Sequence, residues 1–176
     1  MGRIRLPEKV CLITAVCYQH ERIKQNVVDS LQSVYGLPAH VSPAIDFYHT
    51  QYYLKEMGAS LKKQYIAFDT HIDPALLPNI KILTNDLEEQ FSDQGKRTVN
   101  IDPGYIELAK LILASTKNFS HRIYIGKGIY GDVQLYWKHG QFLTNPWTYP
   151  DYKEPPVLDF FTNVRNEYWQ TLKQRK

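Results

Sequence analysis

The chain has 176 residues, of which 43% are hydrophobic and 22% charged, and its formal net charge is +3. This length suits one hydrophobic core, so we expect residues 1–176 to form a single domain. The small net charge argues against nucleic acid as the main partner. No apolar run approaches the roughly 20 residues of a membrane helix, and no signal peptide precedes the first strand, which predicts a cytoplasmic protein without a membrane partner.

The first half of the chain alternates strand and helix patterns. Val10 to Tyr18 is an apolar, β-branched run typical of a central strand, and we interpret its two cysteines as small core residues in a reducing compartment. Glu21 to Tyr35 has apolar residues at helical spacing. Strand patterns follow at His40 to Tyr48 and at Leu61 to Ile72, with a short helical turn between them.

A second long helix is predicted from Asp73 to about Ser92, and Thr98 to Ile101 is predicted as a short strand. The order strand-helix-strand-strand-helix-strand predicts a ferredoxin-like βαββαβ core, with an antiparallel or mixed sheet and helices mostly on one face. On the second helix Lys81, Asn85 and Glu88 share a face that we interpret as solvated.

The segment after residue 101 predicts a buried helix. Asp102 is suited to cap free N–H groups, and Pro103 to be the first helical residue. The run from Tyr105 to Ser115 is apolar almost all round. We therefore expect this helix to extend the βαββαβ core.

A hairpin is predicted around residues 126–128 (GKG), with Ile125 opposite Ile129. This register opposes Arg122 to Asp132 on one polar face, flanked by tyrosines, and leaves an apolar face on the other side. Residues 141–144 return as a further strand, and an amphipathic helix ends the chain. The predicted fold class is thus α+β, an α/β sandwich whose ferredoxin-like core is extended by a helix and a C-terminal β-meander and closed by a C-terminal helix.

Several motifs have plain structural explanations. Residues 126–131 match G-x-G-x-x-G, but a strand follows the glycines where a dinucleotide site needs a helix, so we interpret them as a turn whose Lys127 is still a candidate for contact with an anion. The hairpin register separates His121 from Arg122, which favours a core histidine beside a ligand-binding arginine.

Asp73 is explained as a helix cap, and we predict no metal site. The aromatic arm of residues 145–156 either covers Arg122 as a lid or anchors the terminal helix.

Five segments together resemble a bacterial family catalogued as domain of unknown function number 4416: TQYYLKEMG, IKILTNDLE, RTVNIDPGYIELAKLILASTK, SHRIYIGKGIYGDV and PWTYPDY. The resemblance covers nearly the whole chain and implies a compact, single-domain cytoplasmic protein, with no established activity or catalytic residues. Two departures are visible. Gln51 stands where we expect Asp, which weakens a catalytic role there, and Gly131-Asp132 stands where Ala-Glu is more usual.

We predict that the polar residues between 97 and 132 bind a phosphorylated or carboxylated small molecule such as a nucleotide. The predicted ligand-binding residues are Arg97, Asn100, Tyr105, Lys117, Ser120, Arg122, Tyr124, Lys127 and Tyr130. If the protein is an enzyme, which the sequence leaves open, transfer or hydrolysis at the anionic group is expected, with Asp102, His121 and Asp132 as catalytic candidates. The sequence does not identify a cofactor. The alternatives are a non-catalytic protein-interaction or homodimerisation module and, second, single-stranded RNA binding.

Overall fold

The computed structural model describes residues 2–50 and 52–174. Its strands are β1 (Val10–Tyr18), β2 (Pro38–Val41), β3 (Ile45–Phe47), β4 (Leu61–Ile72), β5 (Val99–Ile106), β6 (Lys110–Ser115), β7 (Arg122–Gly126), β8 (Ile129–Lys138) and β9 (Gln141–Thr144). Its α-helices are α1 (Glu21–Tyr35), α2 (Leu54–Met57), α3 (Leu77–Gln90) and α4 (Pro155–Gln174), and short 3-10 turns occupy Pro74–Leu76 and Pro150–Lys153. Gln51, where the chain departs from the family pattern, lies outside the described residues.

The strands form one antiparallel sheet in the order β2-β4-β1-β5-β6-β8-β7, with β3 paired to β4 and β9 to β8. The predicted mixed α+β class is confirmed, and the predicted bounds of β1, α1, β4 and β9 are also confirmed. One strand was predicted from His40 to Tyr48, which is wrong. Pro43 has no N–H to donate, and the chain leaves the sheet there between β2 and β3.

The strand β1 is buried along its whole length, and helices cover both of its faces. On one face Cys11, Ile13 and Ala15 pack with the buried residues of α4. On the other face, alternate residues of β1 pack with α1 and α3. The expectation that the helices lie mostly on one face holds for α1 and α3, whereas α4 covers the opposite face. Both cysteines are free and buried, and burial raises the pKa of each thiol to about 12.

The predicted helix from Tyr105 to Ser115 is wrong, because this segment forms the hairpin of β5 and β6. A strand that is buried on both faces is apolar throughout, so its sequence cannot be told from that of a buried helix by periodicity alone. Asp102 therefore caps no helix and lies within β5, paired to β1. At Gly104 a Cβ atom would lie 2.2 Å from the carbonyl oxygen of Ile112, so the close approach of β5 and β6 requires glycine.

The predicted pairing of Arg122 with Asp132 and of Tyr124 with Tyr130 is confirmed in the β7–β8 hairpin. The pairing of Ile125 with Ile129 is wrong, since Gly126 takes that place. The connection is a two-residue turn, in which residues 127 and 128 both have left-handed φ angles of 54° and 77°. On its polar face Asp132 and Gln134 are fully buried, whereas Tyr124 is 59% exposed.

Among the described residues, no helix combines the length and the apolar composition that crossing a membrane requires.

Candidate functional site

The site lies where the strands β5 and β6 diverge. Residues 104–106 of β5 pair with β6, whereas β5 pairs with β1 along its entire length from Val99. The first half of β5 therefore has one edge without a neighbouring strand. Pro103 lies in this half, where its missing N–H interrupts no pairing with β6.

Two side chains of helix α3 take the place of the missing strand. The Nζ of Lys81 donates a hydrogen bond to the carbonyl oxygen of Ile101 at 2.8 Å, and the N–H of Ile101 donates to Oε1 of Glu88 at 2.7 Å. Both side chains are buried. The interpretation of this helix face as solvated is wrong, because buried backbone groups at an open strand edge need hydrogen-bond partners, which these residues supply.

A cavity of about 600 Å³ opens between the diverging strands, and Asn85 of α3 also lines it. Its wall holds five basic and five acidic side chains. The basic residues are Lys63, Lys81, Arg97, Lys117 and Arg122, and the acidic residues are Glu56, Glu88, Asp102, Asp132 and Asp151. The cavity is thus strongly polar but close to balanced in charge.

Arg97 joins the β5 side of the cavity to the segment around α2. Its Nε lies 2.5 Å from Oε2 of Glu56, and its guanidinium lies 5.7 Å and 5.5 Å from the ring centres of Tyr52 and Tyr53. A second carboxylate, that of Glu88, lies 3.6 Å from NH1. Burial alone would lower the pKa of Arg97, but the bond to Glu56 and both negative charges raise it above its ordinary value.

A connected polar group stands on β5 itself. Nδ2 of Asn100 donates to Oδ2 of Asp102 at 2.8 Å, and Nζ of Lys81 lies 3.7 Å from Oδ1 of the same carboxylate. Burial raises the pKa of Glu88, because it outweighs the opposing effects of the Lys81 charge and the Ile101 N–H. The β5 side of the cavity thus contains carboxylates held by lysine and amide groups.

Arg122 fixes the opposite side of the cavity. Its Nε donates to Oδ2 of Asp132 at 2.7 Å, and NH1 donates to Oγ of Ser115 at 3.0 Å and to the carbonyl of Lys117 at 2.9 Å. NH2 donates to the hydroxyl of Tyr149 at 2.9 Å. Burial raises the pKa of Tyr149 to about 12, so this hydroxyl is neutral. Arg122 is therefore held rigidly at the cavity wall.

His121 also approaches Asp132. Its Nε2 lies 3.4 Å from Oδ2 of Asp132, and its ring stacks on that of Trp147 at 5.0 Å. The prediction that His121 lies on the face opposite to Arg122 is wrong, because both side chains approach Asp132, whereas the predicted burial agrees with the 13% exposure of the His121 side chain. The strand β7 begins at Arg122, so His121 lies outside the alternation of faces from which that prediction came.

The aromatic arm of residues 145–156 both contacts Arg122 and anchors the terminal helix. The two roles considered for it are therefore compatible. Tyr149 bonds to Arg122, while Tyr152 is buried in the cluster around α4. Asp151 of the same arm lies 2.7 Å from Nζ of Lys63, and both are almost fully buried. This ion pair could not be predicted, because Lys63 follows an identical residue, Lys62, and nothing in the strand pattern distinguishes the two.

The structure brings part of the predicted site together. The predicted residues that line the cavity are Arg97, Asn100, Asp102, Lys117, Arg122 and Asp132. The predicted residues outside its wall are Tyr105, Ser120, His121, Tyr124, Lys127 and Tyr130. The missed residues include Lys63, Lys81, Glu88 and Asp151, which come from distant elements.

In residues 2–50 and 52–174, no group of three or more His, Cys, Asp or Glu side chains is placed to hold a metal ion. The interpretation of Asp73 as a cap is confirmed, since its Oδ1 accepts a hydrogen bond from the N–H of Ala75 at 2.9 Å.

Fold and site together define an α+β protein with a polar cavity between two diverging strands of its sheet. A family model described as "Domain of unknown function (DUF4416)" matches residues 8–168. The chain therefore belongs to that family. No curated protein and no solved structure matches it.

Proposed function

We propose that the cavity between β5 and β6 binds a phosphorylated or carboxylated small molecule. Its volume of about 600 Å³ falls in the range of small-molecule sites, which is roughly 300–1,000 Å³. The observation that carries the proposal is that the open cavity presents Lys117, which has no carboxylate of the described residues within 4.0 Å, beside the guanidinium of Arg122. Such groups bind phosphate and carboxylate by charge-assisted hydrogen bonds.

Lys117 is the basic group that we assign to the anion. In the part of the chain that the structure describes, it is the one basic residue of the cavity wall without a carboxylate within 4.0 Å. Its Nζ lies 4.3 Å from the ring centre of Tyr52. The adjacent Arg122 uses four of its five N–H donors within the protein, so one is left for a ligand.

The acidic residues of the wall suit the other groups of such a ligand. Asp102 and Asp132 line the cavity as hydrogen-bond acceptors for hydroxyl or amino groups. Asp102 and Asp132 also remain the candidates for a proton acceptor if the protein catalyses a reaction. We propose binding and assign no reaction.

A thermal-shift panel of carboxylates, sugar phosphates and nucleotides, followed by calorimetry on the best binder, tests this proposal. Lys117→Ala removes one charge-assisted interaction worth about 1.5–3 kcal/mol. The Kd of the best binder for this variant should therefore be roughly tenfold to a hundredfold higher than for the wild type. Lys138→Ala is the matched control, because Lys138 is exposed and lies outside the cavity wall. The proposal is overturned if no compound in the panel stabilises the protein, or if both variants lose affinity equally.

We propose homodimerisation through β7 as the second candidate, because β7 ends the strand order and exposes apolar side chains. Ile123 and Tyr124 are 70% and 59% exposed. Unpaired strand edges pair readily with other strands, and two identical edges meet in a closed symmetric dimer. Sedimentation should then show a dimer that Ile123→Lys dissociates, and a monomer at all concentrations contradicts this. We do not propose RNA binding, because Arg97 and Arg122 are already bonded to carboxylates.

We also propose that the part from β1 to β5 is a ferredoxin-like unit. The order β2-β4-β1-β5 with antiparallel neighbours supports this, as do α1 and α3 on one face. The cavity then lies at the edge where this unit joins β6. A solved structure in which β5 is not adjacent to β1 would contradict the assignment.

A further inference from the structure

The charges of the cavity wall restrict the charge of its ligand. Four of the five basic residues already have carboxylate partners: Lys63 with Asp151, Lys81 with Asp102 and Glu88, Arg97 with Glu56 and Glu88, and Arg122 with Asp132. With all five acidic side chains ionised, the formal charge of the wall is zero. A ligand with several negative charges would meet these carboxylates with a single basic group, that of Lys117, left to balance it.

The buried pairs of Lys63, Lys81 and Arg122 cannot easily rearrange to release more positive charge, whereas the pair of Arg97 with Glu56 is partly exposed. Lys63 and Asp151 are 3% and 2% exposed, and Lys81 is 6% exposed. Separating a buried pair leaves an unpaired charge in a medium of low dielectric, which is strongly unfavourable. Lys81 is further held by its bond to the carbonyl of Ile101.

One acceptor on the wall lacks a donor. Asp132 is fully buried, and its Oδ2 accepts from Arg122, but its Oδ1 has no hydrogen-bond partner among the described residues. A buried carboxylate oxygen without a donor is costly, and native proteins seldom leave one so. Because Asp132 lines the cavity, an O–H or N–H group of a ligand is suited to supply the missing hydrogen bond.

Arg122 links the Asp132 carboxylate to the backbone of Lys117. The guanidinium of Arg122 bonds both the carboxylate of Asp132, at 2.7 Å, and the backbone carbonyl of Lys117, at 2.9 Å. Lys117 and Asp132 also line the same cavity, so one small molecule in it can reach both residues. The rings of Tyr52 and Tyr149 line the same cavity and give flat surfaces for the rest of the ligand.

We propose, on the basis of the proposed function, that the ligand is a carboxylate of net charge −1 or zero that also carries an amino or hydroxyl group. The carboxylate binds at Lys117, and the amino or hydroxyl group donates to Asp132. Amino acids, hydroxy acids and their larger derivatives belong to this class. Nucleoside diphosphates and triphosphates do not.

The test is calorimetry on the wild-type protein with a library of metabolites grouped by charge: amino and hydroxy carboxylates, monophosphates, and di- and triphosphates. We expect the lowest Kd values in the first group. Propionate lacks the donor that lactate and alanine carry, so its Kd should be at least about tenfold higher than theirs. The same difference is expected between the best binder and its analogue without the amino or hydroxyl group.

The outcomes separate the two proposals. If polyphosphates bind most tightly, or if deleting the donor leaves Kd unchanged, this inference is overturned while the proposed function stands. If no compound of any group binds, the proposed function fails and this inference fails with it. Because both comparisons vary the ligand, neither depends on a variant of the buried Asp132 that folds.

Discussion

Replacing Glu88 tests whether α3 supplies the missing strand partner of β5. Glu88→Ala removes the acceptor of the Ile101 N–H, which now donates at 2.7 Å inside the protein. A buried donor left without a partner costs about 1–3 kcal/mol, so the free energy of unfolding should fall by that amount. Glu88→Gln keeps an oxygen in place and loses only the charge interactions with Lys81 and Arg97, at 3.9 Å and 3.6 Å. Its loss should be clearly smaller.

The pH dependence sharpens this prediction. Burial raises the pKa of Glu88, so the folded protein favours the protonated form. The stability that this contributes is present below the ordinary pKa of a glutamate and is lost as pH rises through the raised value. Glutamine cannot ionise, so the free energy of unfolding of Glu88→Gln should improve relative to that of the wild type as pH rises above the ordinary pKa of a glutamate.

Urea unfolding followed by tryptophan fluorescence measures both effects. Glu89→Ala is the control, because Glu89 is exposed on the same helix and lines no cavity. The reasoning is refuted if Glu88→Gln destabilises the protein as much as Glu88→Ala, or if Glu88→Ala is no worse than the control.

Two further substitutions test the geometry around the cavity. Gly104→Ala places a Cβ 2.2 Å from the carbonyl oxygen of Ile112, so thermal unfolding should show a loss of about 1–3 kcal/mol, and an unchanged Tm would contradict the close approach of β5 and β6. Lys63→Met leaves the buried carboxylate of Asp151 without its positive partner, although the Tyr65 hydroxyl still donates to it, and should cost about 3–5 kcal/mol in urea unfolding. The exposed neighbour Lys62→Met should have little effect, and equal losses in the two variants would show that the ion pair is not the cause.

The sequence was informative where one strand face had to differ from the other. In the β7–β8 hairpin, a shift of one residue would have mixed Arg122 and Asp132 with isoleucines, so the pairing could be predicted. The prediction failed at the turn, where the register shifts and Gly126 pairs with Ile129. A two-residue loop and a three-residue loop differ there only in backbone geometry, which the residue pattern does not reveal.

The strand β6 could not be predicted in the same way. It is buried on both faces, so LAKLILA carries neither the alternation of a half-buried strand nor a clear helical stripe. Lys81 and Glu88 were misinterpreted for a related reason. Their environment depends on where β5 loses its neighbour, which is a property of the whole sheet and leaves no local signal in α3.

The central claim is that the gap between β5 and β6 is the ligand site, and mapping by NMR tests it most directly. The best binder of the panel is titrated into ¹⁵N-labelled protein. The account predicts that the amide signals of Asn100, Ser115 and Lys117, around the cavity, shift in a saturable way while those of residues 126–128 at the hairpin tip stay in place. Shifts confined to the hairpin tip, or shifts spread over the outer surface with none at the cavity, would contradict it.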